Sequence, residues 1–383
     1  MKKTLLTICL TWMCFSLSAQ KIIDLSGKWS FSIDRQDNGE KEKWFSHTLN
    51  DCINLPGSMP EKLKGDEVTA KTQWTGSLYD SSYYYNPYME KYRKEGNIKF
   101  PFFLTPDKHY VGAAWYQKEV NIPADWKGER ILLFLERPHI ETTVWVNGQK
   151  TGMQNSLCVP HQYDITRYVR PGKCTITIRV DNRIKEINVG PDSHSITDQT
   201  QGNWNGIVGR ICLQTTPKTY FDDIQIYPEP EQKLARVKVV IKGAGITKIK
   251  LSAESFNTDK KHIVPAIQQE IKLNKGVTET EMVLPMGNDM LLWDEFHPAL
   301  YKLKAEVTNG KKTEIKEIQF GMRRFEIKGK WFYVNGRKTQ LRGTVENCDF
   351  PLTGYAPMDV ESWERVFRIC RSYGLNHMRF HSF

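Results

Sequence analysis

Four residues near the C-terminal end of the chain have side chains suited to chemistry on a polar ligand. Arg379 and His381 stand two apart at the end of one strand-like run, and Glu346 and Asn347 follow another. A guanidinium offers a planar fork of donors that can orient a carboxylate. Glutamate and asparagine add acceptors and a donor, the mixture that a hydroxyl-rich ligand needs, although capping their own loop would use the same groups. A second feature is the aromatic run at residues 79–92, with Tyr83, Tyr84, Tyr85, Tyr88 and Tyr92. Flat rings beside a polar loop suit stacking on the apolar face of a sugar ring; packing between domains is the commoner explanation of such a run. Metal chemistry finds no support. The nine histidines are dispersed, and neither C-x-x-C nor H-E-x-x-H occurs. No cofactor is expected.

The elements that hold Glu346 and Arg379 read as strand, helix, strand. Residues 338–345 (KTQLRGTV) have a strand pattern ending in a polar loop. Trp363, Val366, Phe367 and Cys370 then repeat at helical spacing. Asp359 is placed to cap that helix and Gly374 to end it, and residues 375–380 begin a second strand. This is the opening of a (β/α)8 barrel, which takes about 250 residues to close. The expectation is therefore a barrel cut short at residue 383, with the missing part beyond it.

Before residue 322 the signals are almost all β. Short runs at 29–33, 115–122, 130–135, 142–146 and 174–180 are separated by turn residues. Asn147-Gly148 after Thr-Val-Trp-Val is a strong hairpin signal, because a type I′ turn needs positive φ at both central residues. The order expected is a jelly-roll sandwich over residues 20–216, then an immunoglobulin-like sandwich over 217–321, then the truncated barrel over 322–383. In the second block the runs 237–241 and 249–255 read as two separate strands. Trp29, Trp115, Trp145 and Trp363 lie on apolar stripes and are expected in cores, whereas Glu136-Arg137-Pro138-His139 reads as a solvated turn at a strand exit.

Residues 1–19 have the form of a secretory signal: Lys2 and Lys3, an apolar stretch over 5–15, then Ser16, Ser18 and Ala19. The protein is expected to be exported to the periplasm or the extracellular space, with no membrane attachment after cleavage. The net charge of +10 falls to about +8 without those lysines, and the remaining basic residues are scattered. A nucleic-acid partner, which needs a clustered basic face, is not expected. Of eight cysteines, Cys9 and Cys14 leave with the signal, and the other six are widely spaced.

An ordered set of motifs resembles glycoside hydrolase family 2, whose members include β-galactosidases, β-glucuronidases and β-mannosidases. Gly112-Ala-Ala-Trp-Tyr-Gln-Lys118, Val144-Trp-Val-Asn-Gly148, Tyr163-Asp-Ile-Thr166, Arg179-Val-Asp-Asn182 and Trp204-Asn-Gly-Ile-Val-Gly-Arg210 are similar to successive landmarks of its sugar-binding domain. Leu291-Leu-Trp-Asp-Glu-Phe-His-Pro-Ala-Leu-Tyr301 is similar to the L-W-x-P-x-x-P-x-L-Y motif of its immunoglobulin-like domain. Gly321-Met-Arg-Arg-Phe325 and Leu341-Arg-Gly343 resemble the approach to its barrel.

The resemblance implies a retaining hydrolase of terminal β-glycosides, with a β-galactoside as the first substrate expected. Its two catalytic carboxylates, about 5–5.5 Å apart in such enzymes, would come from later barrel strands beyond residue 383. No catalytic residue is then expected within the chain. Substrate contacts implied here are Arg379 and His381, from a run similar to the family's N-x-x-R-x-S-H element but with the histidine one residue closer to the arginine, and Glu346 with Asn347 where better-known members carry Arg-His-Glu. Asp198 stands eight residues before Gly206, as a substrate-side aspartate does in β-galactosidases, and Asn97 matches an asparagine of an Asn-Val-Thr-Tyr-Pro loop. A homo-oligomer is possible. The competing expectation is a non-catalytic carbohydrate-binding or scaffold protein.

Overall fold

The computed structural model describes residues 20–73, 75, 85–99, 102–185, 193, 196–198, 202–347 and 349–381. Residues 1–19, where a signal is expected, and Tyr83, Tyr84 and Cys348 lie outside the described residues. Two compact units form, one from Ile22–Thr215 with Gln340–Phe383 and one from Thr216–Thr339.

The first unit is built on two antiparallel sheets. The smaller runs in the order Ile22–Asp24, Gly206–Thr216, Arg130–His139, His161–Asp164, with Gly57–Ser58 also pairing Gly206–Thr216. The larger runs Gln149–Asn155, Glu141–Val146, Gly172–Asp181, Ala113–Ile122, Gly27–Asp34, Asp51–Leu55. Alternation along each strand turns one set of side chains inward. Leu133, Leu135, Ile207, Ile211 and Leu213 thereby pack with Trp29, Phe31, Tyr116, Val144, Ile176 and Ile178 in one core. Each such side chain contributes roughly 1.5–3 kcal/mol on burial. Trp115 and Trp145 are buried too, but in a separate cluster where Trp44, Phe45 and Leu49 cover them. Their ring centroids are 4.9 Å apart, and the Trp115 indole N–H donates to Asp34 Oδ2 at 2.9 Å. Asn147 and Gly148 have φ of 50° and 76°, the type I′ geometry their sequence demands.

In the second unit the two strands expected at 237–241 and 249–255 are one strand, Leu234–Ser255. It pairs along its length with Ile263–Pro285, first beside Tyr220–Glu229 and then beside Tyr301–Asn309, which carries Lys312–Phe320. The reason lies in Gly243-Ala-Gly245. A register shift there bends the strand without ending it, so glycines that read as a break act as a bulge. Val237, Val239 and Ile241 before the bend and Ile249 and Leu251 after it reach the same core, with Leu303 and Val307. Buried Tyr301, from the immunoglobulin-type motif, accepts a hydrogen bond from Leu291 N at 2.8 Å and meets His262 Nδ1 at 2.7 Å.

The expected strand 338–345 is divided. Asn335-Gly336, both at positive φ, closes a tight hairpin that takes Arg337–Thr339 into a small antiparallel sheet with Trp331–Val334 and Phe325–Lys328. Only Gly343–Glu346 remains, and it pairs in parallel with His377–Phe380 across the helix Val360–Ser372. Asp359 caps that helix through Ser362 N at 2.7 Å, and Gly374 ends it at φ 78°. Trp363, expected in a core, is only half-buried, and the helix has no buried residue. Its indole donates to Pro357 O at 2.9 Å and its ring meets Phe380 edge-on at 5.5 Å. One flanking strand pair cannot enclose the whole stripe.

Candidate functional site

The parallel pair sets Gly343 against His377, Val345 against Arg379 and Glu346 against Phe380. Paired residues share a face and successive residues alternate. Phe380 points to the face covered by Trp363, so Glu346 shares the helix side. Val345 and Arg379, both exposed, stand on the opposite face. His381 N donates to Glu346 O at 2.8 Å and carries the ladder past the strand ends. Four of the expected site residues, Glu346, Asn347, Arg379 and His381, are therefore brought together at the C-terminal ends of two adjacent parallel strands. Asn376 fastens the opposite end: its side chain accepts from Arg342 N at 2.8 Å and donates to Gln340 O at 3.0 Å.

The connection 347–359 leaves these strand ends and lies against the sandwich. Ser58 Oγ donates to Thr353 O at 2.6 Å. The Tyr355 hydroxyl donates to Glu61 Oε2 at 2.8 Å. Burial, reinforced by the Glu61 carboxylate, pushes the Tyr355 phenol well above its ordinary value. The Tyr355 ring lies 5.5 Å from Trp204, which stacks on His139 at 4.6 Å. A cleft of about 530 Å³ opens beside this contact, bordered by Glu136, Arg210, Tyr355 and Met358.

Asp198 is buried, with only 1% of its surface exposed. Its carboxylate accepts from Thr75 N at 2.7 Å and Asn203 N at 3.4 Å, and lies 3.1 Å from His109 Nε2. This geometry is a brace for the segment that presents Trp204. Asn97 is exposed and donates to Lys91 O at 2.7 Å, closing its own loop. Asp198 connects toward the strand ends through Asn203, Trp204 and Tyr355, and Asn97 is held within its own turn.

Sequence reasoning missed a buried polar lattice. Asn182 accepts from Gly112 N at 2.8 Å and donates to Tyr110 O and Asn203 O, while Asn203 donates back to Asn182 O at 2.7 Å. Asn205 donates to Gly112 O and Val180 O and accepts from the Tyr116 hydroxyl at 2.8 Å. His139, expected on a solvated turn, is buried because the strand Arg130–His139 continues inward through it. Its Nε2 meets Asn203 Oδ1 at 3.0 Å. Burial, helped by nearby Arg137, lowers its pKa to about 3. Beside it, Asp181 is held well below the usual carboxylate range: burial works against ionisation, but Arg183, Lys185 and Arg179 outweigh it. Asn182 and Asn205 fall inside landmark motifs, which was the available signal for them, and Asn203 stands just before one; none of the three roles was legible.

Residues 22–217 match the sugar-binding domain of the glycosyl hydrolases family 2, and residues 219–323 match a second domain of the same family. The chain belongs to glycoside hydrolase family 2. Family 2 relatives include a β-galactosidase of Thermoanaerobacter pseudethanolicus, 25% identical over 74% of this chain and 38% of its own length. The human β-glucuronidase is 23% identical over 93% of this chain and 53% of its own. A β-glucuronidase from Ruminococcus gnavus, solved with D-glucaro-d-lactam, superposes with a TM-score of 0.67 at 19% identity, covering 96% of this chain and 56% of that one. The likeness to that structure is one of fold. The chain spans about half or less of the length of these family 2 relatives.

Proposed function

We propose that this chain is the N-terminal portion of an exported family 2 glycosidase that removes terminal β-linked sugars, with β-galactosides the first substrate class and β-glucuronides the second. One observation carries the reading. After two family 2 domains comes a parallel strand–helix–strand unit, and Arg379 stands on the sheet face turned away from the helix. In a (β/α)8 barrel that face is the interior, and the C-terminal strand ends carry the chemistry. On this reading Gly343–Glu346 and His377–Phe380 are the first two barrel strands. Arg379, His381 and Asn347 border the sugar site. The two glutamates of a retaining mechanism come from later strands outside residues 1–383. Glu346, whose strand position shares the helix side, contacts sugar only through the loop that follows it. The basic start, apolar stretch and small residues of the first 19 positions support export.

The test is expression of the longest open reading frame containing this sequence, assayed on p-nitrophenyl β-galactoside, β-glucuronide and β-mannoside. Turnover of one of them, with release of a sugar that keeps the β configuration, is the expected result. A folded product that hydrolyses none but binds sugars in calorimetry would replace this reading with a carbohydrate-binding one.

A further inference from the structure

The connection 347–359 is long for a strand-to-helix loop, which usually takes about 2–6 residues, and its described residues form turns and bends without helix or strand. What holds it comes from far away in sequence. Ser58 and Thr353 are 295 positions apart, Glu61 and Tyr355 294. The anchors are themselves ordered. Ser58 is fully buried, its Oγ accepts from Glu61 N at 3.2 Å, and Glu61 Oε2 accepts from Ser58 N at 3.3 Å. Within the loop, Thr353 Oγ1 donates to Tyr355 O at 2.8 Å. Gly354, at φ 82°, passes its backbone over Trp204 and Pro106. Trp204 is fixed in turn by its stack on His139.

We propose that Glu61, Tyr355 and Trp204 are positioning residues of the family 2 site, which rests on the glycosidase reading above. The sandwich clamps the loop leaving the first parallel strand, and so sets where Asn347 and the end of that strand stand relative to the substrate. Groups that bind a reacting sugar must be held to within about 0.5 Å. A loop of this length cannot do that by its own turns, and Asn347 is itself exposed. The Tyr355 phenol donating to a carboxylate is a charge-assisted bond with a defined direction, and the ring contact with Trp204 stops the phenol from swinging away.

The experiment uses the full-length enzyme and whichever aryl β-glycoside the wild type hydrolyses. Tyr355→Phe keeps the ring on Trp204 and removes only the hydroxyl. Glu61→Leu removes the acceptor, and Glu61→Gln retains one. Expected are a fall in kcat/KM of about five- to tenfold for Tyr355→Phe and for Glu61→Leu, and near-wild-type kinetics for Glu61→Gln. The Tyr355→Phe/Glu61→Leu double variant should be no worse than either single one, with thermal midpoints within about 2 °C for the two conservative changes. Wild-type kcat/KM in Tyr355→Phe and Glu61→Leu, whatever their stability, would overturn the positioning role while leaving the glycosidase reading intact. If Glu61→Leu fails to fold, Tyr355→Phe alone decides. A wild type inactive on every glycoside would overturn the glycosidase reading and this proposal together.

Discussion

Acidification from pH 7 to pH 5 should weaken the sandwich unit through two histidines rather than through its carboxylates. His139 and His161 are both buried, at 2% and 0% exposure. Burial lowers the pKa of His139 to about 3 and of His161 to about 4. In the unfolded chain each titrates near 6.5. The folded values lie below the unfolded ones, so the unfolded state binds protons first. Stability is then complete above about pH 6.5 and declines as pH falls toward the folded values. At pH 5 each histidine is 1.5 units below its unfolded value and still neutral in the fold, which costs about 2 kcal/mol apiece, or about 4 kcal/mol together. Domains are typically stable by 5–15 kcal/mol, so the loss is readily measured. The depressed carboxyls, Asp181 among them, lose their contribution progressively below about pH 5, which leaves the window between 7 and 5 mainly to the histidines. Urea unfolding followed by the fluorescence of buried Trp29, Trp115 and Trp145 measures it. His139→Asn, which can still donate to Asn203, should lower stability at pH 7 but roughly halve the slope with pH. A stability change below about 1 kcal/mol between pH 7 and 5 would refute the reasoning.

Three further outcomes are expected. Asn205→Ala removes a donor to the Gly112 and Val180 carbonyls and the acceptor of the Tyr116 hydroxyl and should cost about 1–3 kcal/mol in urea unfolding; a cost under about 0.5 kcal/mol would show that these bonds add nothing to the fold. Asp198→Asn should destabilise by about 1–3 kcal/mol, because it weakens the bonds to Thr75 and Asn203; a tenfold drop in kcat/KM of the full-length enzyme with stability unchanged would instead support a substrate contact. Arg379→Lys in the full-length enzyme keeps the charge and loses the planar fork, so kcat/KM should fall by at least about tenfold with little change in thermal midpoint. A large loss of stability there would favour an arginine that braces the barrel rim.

Local signals were legible wherever neighbouring residues decide the geometry. Asn147-Gly148 determines its turn by backbone sterics alone, and Asp359 and Gly374 bound the helix for the same kind of reason. The failures share a cause, which is competition from partners distant in sequence. Gly243-Ala-Gly245 reads as a break until Ile263–Pro285 is found alongside to carry the strand through. Lys338 and Thr339 fit a barrel strand until the Asn335-Gly336 turn pairs them with Tyr333 and Phe332. Glu136 and His139 look alike as polar residues on one strand, yet alternation sends Glu136 outward to Arg210 and His139 inward to Asn203 and Trp204. No local pattern separates those two fates.

The site residues divide along the same line. Asn182 and Asn205 sit in motifs where each bonds two or three buried backbone groups, and neighbouring Asn203 joins Asn182 O to the His139 ring. They help to seal one end of the sandwich, so the motifs that carry Asn182 and Asn205 report folding without any knowledge of the reaction. Arg379 and Asn347 are under no such constraint. Both are exposed at strand ends, where folding alone would accept many residues. An arginine with an exposed side chain, on the uncovered face of a parallel strand and beside an exposed valine, adds little to stability by itself. On the glycosidase reading proposed above, its identity is explained by what it meets in the full-length protein. The sequence of a sandwich can therefore announce a family through its buried asparagines while its sugar remains to be read from exposed positions, and those positions are where substitution should change turnover before it changes stability.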